Sequence, residues 1–157
     1  MKENMTEEIM TRNAGETRAA GRALAKRLRA GDTVLLRGPL GAGKSEMTRG
    51  LAEGLGVTET VTSPSFTILN VYESGRVPLY HFDWYRLESE EELYELGMDE
   101  YLGGAGVALV EWPGQCPEAL PERFLMIELL PLDENRRELR INRHGDFRKT
   151  AWEGKET

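Results

Sequence analysis

GPLGAGKS, Gly38 to Ser45, decides the fold, because it fits the pattern GxxxxGK(S/T) at every fixed position and lies between two segments that agree with it. Before it, Thr33-Val34-Leu35-Leu36-Arg37 is an apolar run of strand length. After it, Glu46 to Leu55 carries helical periodicity. In such a strand-loop-helix, Gly38, Gly41 and Gly43 let the backbone turn tightly and aim successive N–H groups at one point, where the positive end of the helix dipole also acts. Lys44 then reaches β- and γ-phosphates, and the Ser45 hydroxyl faces Mg²⁺. The predicted fold is α/β: a P-loop NTPase-like mixed sheet with central parallel strands, antiparallel hairpins and flanking helices.

Downstream, Gly54 and Gly56 break the helical pattern, and Val61 to Thr67, VTSPSFT, follows as a hydroxyl-rich segment. Pro64 turns Ser63 away from helical geometry, so the spacing predicts an extended loop entering a strand over Phe66 to Tyr72. Hydroxyls at Thr62, Ser63, Ser65 and Thr67 can reach a γ-phosphate or its metal; an ordinary polar loop is the other reading. The turn Ser74-Gly75-Arg76 pairs that strand with Val77 to Phe82, and Asp83 stands just past the strand end, either facing a site or capping a turn. His81 reads as a packed histidine, since no second His or Cys stands at metal-ligand spacing. Val107 to Val110 is a buried strand ending in Glu111, where a carboxylate beside the phosphates supplies a second metal anchor. Trp112 either walls the site or packs, and packing is the safer expectation.

The remaining segments complete a single domain over 1–146. Ile9 to Thr11 forms a short strand, and Asn13 with Glu16 opens a helix that stops at Gly31. Ser89 with Glu92 caps a short helix to Gly97, with a further turn over Asp99 to Leu102 and a flexible joint over Gly103 to Gly106. Arg123 to Leu129 and Arg137 to Asn142 form a hairpin, and 147–157 is a polar tail carrying Trp152.

Composition narrows the function. The 157 residues carry a net charge of -7, which makes direct grip on DNA or RNA a poor electrostatic match. Cys116 is alone, the N-terminus lacks a basic region followed by an apolar core, and no apolar run nears the roughly 18 residues of a membrane span, so a cytoplasmic setting is expected. A guanine-reading NKxD string is absent. A small P-loop kinase, or an ATP-dependent assembly module with negligible turnover, remains as an alternative.

Taken in order, GPLGAGKS, SPSFT, LYHFDWYRL, the acidic segment ending ELGMDEYL, and VALVEWP resemble the TsaE (YjeE) family, over about Gly38 to Pro113. Ser45 stands where many members have Thr, Ser65 where Thr is usual, and Trp84 where Leu is frequent. The resemblance implies an Mg²⁺-dependent ATPase that serves formation of N6-threonylcarbamoyladenosine at adenosine 37 of tRNAs reading codons that begin with A. It implies TsaB and TsaD as transferase partners, with tRNA met only through that complex. It assigns phosphate contacts to Gly41, Gly43 and Lys44, metal ligation to Ser45 and Glu111, a switch-like role to Ser63–Thr67, and importance for hydrolysis to Asp83, which either orients water or supports the metal shell. Candidate catalytic residues are thus Asp83, Lys44 and Glu111. Candidate nucleotide contacts are Gly38, Pro39, Leu40, Gly41, Ala42, Gly43, Lys44, Ser45 and Glu46, with Thr67 and Arg137. No arginine finger lies within the motif; Arg86 or a partner residue can fill that role.

Overall fold

The central strands are near-continuous buried runs whose side chains point to alternate faces, so the sheet has a core on each side. The computed structural model describes residues 6–39, 41–145 and 147. Leu40 and the tail from 148 onward lie outside the described residues. Seven strands form one sheet in the order β1-β7-β6-β2-β5-β4-β3. They are β1 (Thr6–Thr11), β2 (Thr33–Arg37), β3 (Leu69–Tyr72), β4 (Leu79–Asp83), β5 (Val107–Glu111), β6 (Phe124–Pro131) and β7 (Arg137–His144). Neighbours among β6, β2, β5 and β4 run parallel, while β3, β7 and β1 join antiparallel. The expected architecture holds: parallel centre, antiparallel hairpins at both edges.

Period 2 sorts the side chains. Val34, Leu36, Leu79, Val107, Leu109, Leu125, Ile127 and Leu129 meet α1 (Ala14–Ala25) and α2 (Lys44–Leu55). Leu35, Tyr80, Phe82, Ala108 and Val110 meet the opposite layer, built from α3 (Glu90–Glu95), the 3₁₀ turns that follow it, and Trp84, which is fully buried. Helix α1 begins as the sequence implies: the Glu16 N–H donates to Asn13 Oδ1, and Glu16 reaches back to the Arg12 N–H.

Several boundaries move, each for a local reason. Helix α1 ends at Ala25, not Gly31. Gly31 instead takes φ +94 in the turn before β2, where its N–H donates to the Gly106 carbonyl. Strand β3 starts at Leu69 because Ile68 adopts φ +71 and donates to the Pro64 carbonyl, closing a turn; Phe66 is therefore 84% exposed and outside the sheet. Asp83 is the last residue of β4, paired with Glu111. Helix α3 ends at Glu95, and the Ser89 side chain makes no capping bond; Glu92 accepts the Glu88 N–H instead. Gly106 is a close crossing and no free joint, since a Cβ there would overlap the Pro78 carbonyl.

Gly54 does not break α2 either; it lets α2 touch α1. A Cβ on Gly54 would lie 2.6 Å from the Ala25 Cβ, and one on Gly21 would lie 2.8 Å from the Met47 carbonyl oxygen. A Cβ on Gly50 would overlap the Arg18 carbonyl oxygen. Backbone-to-backbone contact of this kind cannot relax by a rotamer change. Gly50→Ala is expected to cost about 1–3 kcal/mol and to lower the midpoint of thermal unfolding by several degrees; an unchanged midpoint would contradict the close crossing.

Candidate active site at the head of the P-loop helix

The left-handed turns of two glycines shape the cradle. Gly41 has φ +80 and Gly43, the residue that caps α2, has φ +103, both conformations costly for residues with a Cβ. Gly38 is required for space, because a Cβ there would stand 2.8 Å from the Leu129 carbonyl oxygen of β6. The Ala42 N–H closes a turn onto the Pro39 carbonyl. Arg137, at the start of β7, does not line the cavity but grips the loop: its Nε donates to the Ala42 carbonyl at 2.9 Å and its Nη2 to the Gly41 carbonyl at 3.1 Å. Occupying those carbonyls with a cation leaves the N–H side of the loop to face an anion.

Strand parity brings the remaining groups together. His81 and Asp83 on β4 and Glu111 on β5 share the parity of Leu79 and Leu109, so all three project on the α2 side. There a cavity of about 510 Å³ is lined by Gly41, Gly43, Lys44, Ser45, Glu46, Ser63, Ser65, Asp83, Tyr85, Arg86, Glu111 and Trp112. A cavity of about 550 Å³ lies beside it along β6, past Lys44 and Trp112, and its wall is mainly apolar, with Leu35, Met126, Leu120 and Pro117. The glycine cradle and the carboxylates meet in the former.

Lys44 is largely buried, and its Nζ donates to the Gly38 carbonyl at 2.7 Å while lying 3.9 Å from the centre of the Trp112 ring. Burial pushes its pKa down, with Glu111 and Asp83 pulling it back up. Asp83 is 6% exposed, and burial raises its carboxyl above the ordinary range; the Tyr85 N–H, donating to Oδ1 at 2.9 Å, offsets part of this, while Glu111 adds to the rise. Glu111 Oε2 lies 2.8 Å from His81 Nε2. Trp112 takes φ +58, and its ring, 4.9 Å from that of Tyr85, walls the cavity, so it does more than pack. Arg86 lines the same cavity, with its guanidinium 4.6 Å from the Phe66 ring centre.

Two of the expected nucleotide contacts are engaged by neighbouring side chains. The Thr67 hydroxyl donates to Asn70 Oδ1, and Thr67 is not among the lining residues, whereas Ser63 and Ser65 are, with their hydroxyls 2.8 Å apart. Glu46 lines the rim but is engaged by Arg49 and Arg18. Sequence reasoning missed the contact of His81 with Glu111, although the parity of His81 and Asp83 on one strand is a signal that points to it.

The donor set suits a hard cation. Ser45, Glu111 and Asp83 offer oxygen, the ligand type Mg²⁺ takes, and Mg²⁺ fills its octahedron with water and substrate phosphates without an all-protein cage. Among the described residues no group of three or more His, Cys, Asp or Glu forms such a cage. Among them also, no helix is long and apolar enough to cross a membrane.

The chain is similar to known proteins over most of its length. The protein tRNA threonylcarbamoyladenosine biosynthesis protein TsaE of Bacillus subtilis (strain 168) is 45% identical over 136 residues, covering 87% of this chain and 85% of the relative. Its counterpart of the same name in Treponema pallidum (strain Nichols) is 41% identical over 132 residues, covering 84% and 97%. The crystal structure of Bacillus subtilis YdiB superposes with a TM-score of 0.83 at 38% identity, covering 96% of this chain and 94% of that one. Residues 11–139 match the family model "Threonylcarbamoyl adenosine biosynthesis protein TsaE", and with the P-loop and its two strand-end carboxylates inside that span, the chain belongs to the TsaE family.

Proposed function

We propose that this chain is an Mg²⁺-dependent ATPase that serves threonylcarbamoyladenosine formation at adenosine 37 of tRNA in the cytoplasm, working with TsaB and TsaD. The observation that carries the reading is the convergence of Lys44, Ser45, Glu111 and Asp83 on one cavity at the head of α2. Mg²⁺, when bound, would supply positive charge against the phosphates. The protein's part is positioning and electrostatics. The loop N–H groups and the α2 N-terminus bind the phosphates, with Arg137 holding the loop carbonyls away. Lys44 would exchange the Gly38 carbonyl for phosphate oxygen, and the Ser45 hydroxyl with the Glu111 carboxylate would hold the ion. Asp83, fixed by the Tyr85 N–H, orients the attacking water. Arg86 is the residue of the cavity wall that can meet charge developing on the transferred group, and a partner cation can complete it.

The net charge of -7 makes the chain a poor electrostatic match for tRNA, so in this reading the RNA-linked step passes through the partners. The test is multiple-turnover formation of the modified nucleoside with TsaB, TsaD, tRNA and this protein. Wild type is expected to sustain repeated cycles and to release phosphate faster than the isolated chain, by about 10³-fold if a partner supplies the missing cation. Equal support from Lys44→Ala would remove ATP hydrolysis from the cycle and leave an assembly role.

A further inference from the structure

Behind Glu111, on the α2 side of the sheet, stands a histidine that the phosphate chemistry leaves unused. His81, mid-strand in β4, is 2% exposed, and its Nε2 lies 2.8 Å from Glu111 Oε2. Its Nδ1 is buried without a protein hydrogen-bond partner, and so is Thr48 Oγ1 on α2. Both residues, with Ser45, Ser63 and Glu111, line a cavity of about 130 Å³, ample for an ordered water that would serve these two atoms. A metal-binding Glu111 is an ionised carboxylate and only accepts, so the contact requires the proton on Nε2. The Nδ1 lone pair then faces the cavity, where a water can donate to it.

We propose that His81 is a positioning residue for Glu111: its Nε2–H holds one carboxylate oxygen and leaves the other to the ion beside Ser45. The proposal rests on the reading of Glu111 as a metal ligand. A glutamate at a strand end has three side-chain torsions to fix before it can bind an ion, and a donor locked in the neighbouring strand fixes them in advance. The packing already holds His81: Leu79 and Leu109 share its face of the sheet, and Asp83, of the same parity, is its neighbour toward the cavity.

Two amide substitutions separate positioning from simple packing. The amide of His81→Gln reaches the place of Nε2 and still donates; that of His81→Asn stops near Nδ1, short of Glu111. The measurement is ATP affinity by calorimetry on the full chain across graded Mg²⁺, and again in EDTA, with melting curves confirming folded variants. His81→Asn is expected to raise the Mg²⁺ needed for half-maximal affinity by about 10–100-fold and His81→Gln by no more than about threefold, with affinities in EDTA alike. If His81→Asn does not fold, His81→Leu carries the same expectation. Equal behaviour of the Gln and Asn (or Leu) variants overturns the proposal. If Glu111→Ala shifts the Mg²⁺ requirement while the His81 variants match wild type, the His81 assignment alone falls. If Glu111→Ala leaves the requirement unchanged, the metal reading falls and takes this proposal with it.

Discussion

Lys44→Ala is expected to lose Mg²⁺-ATP affinity by about 10–100-fold or more, the worth of a charge-assisted hydrogen bond to an anion. The expectation comes from where Lys44 lies. Its ammonium sits between the Gly38 carbonyl and the Trp112 ring, at the seam of the two cavities, and burial already weakens its hold on the proton. A phosphate in the cradle offers a stronger partner than a neutral carbonyl, so the exchange favours binding. Removing the side chain takes away that partner, and the Gly38 carbonyl, released in the wild-type complex as well, adds nothing to the difference. Calorimetry with Mg²⁺-ATP reads this directly. Unchanged affinity would mean that the loop N–H groups alone hold the phosphates and that Lys44 serves the apo fold.

Asp83→Asn is expected to lower ATP turnover in the reconstituted complex by about 10²-fold or more, with nucleotide affinity within a few fold of wild type. The same variant should melt no lower than wild type near neutral pH. Asn keeps an oxygen to accept the Tyr85 N–H, so the local turn survives. Burial raises the folded-state pKa of Asp83 above its unfolded value. The unfolded chain therefore loses this proton at lower pH than the folded chain, and the stability Asp83 contributes is present below the unfolded pKa and declines as pH rises through the folded one. The substitution removes that decline, so any gain in melting temperature should grow from acidic toward neutral pH. A variant with full turnover would return Asp83 to a structural role. One that melts well below wild type at pH 7 would show that the carboxylate has a stabilising partner in the fold.

The loop half of the candidate site was legible because its geometry is local. Strand, three glycines, lysine, serine and helix are consecutive, and each residue type has one physical use there. The strand-end carboxylates were legible for a similar reason: a buried apolar run ending in an acid places that acid at the sheet mouth whatever the order of strands. What could not be read depends on register and on distance along the chain. Arg137 was expected at the nucleotide, but its grip on the Gly41 and Ala42 carbonyls was not foreseen, a geometry set by how β7 returns beside β6. Trp112 turns toward Lys44 through a left-handed backbone that residue preferences disfavour. Ile68 does the same before β3, which is why Phe66 projects into solvent and Thr67 turns away from the cavity. The glycines Gly50 and Gly54 resemble helix breakers in one dimension, and only a second helix shows why they are there.

The grip of Arg137 on the loop has a consequence for how the protein is made. Ala42 and Arg137 are separated by 95 residues, and the strands that flank β2 on either side, β5 and β6, are both translated long after it. A nascent chain thus emerges with its phosphate loop early but without the sheet that supports it, and with Val34 to Leu36 lacking both neighbours. The loop is braced only when the last hairpin folds back, the same event that gives β1 its partner strand. A ligand held by this loop would therefore stabilise finished molecules and offer little to truncated ones.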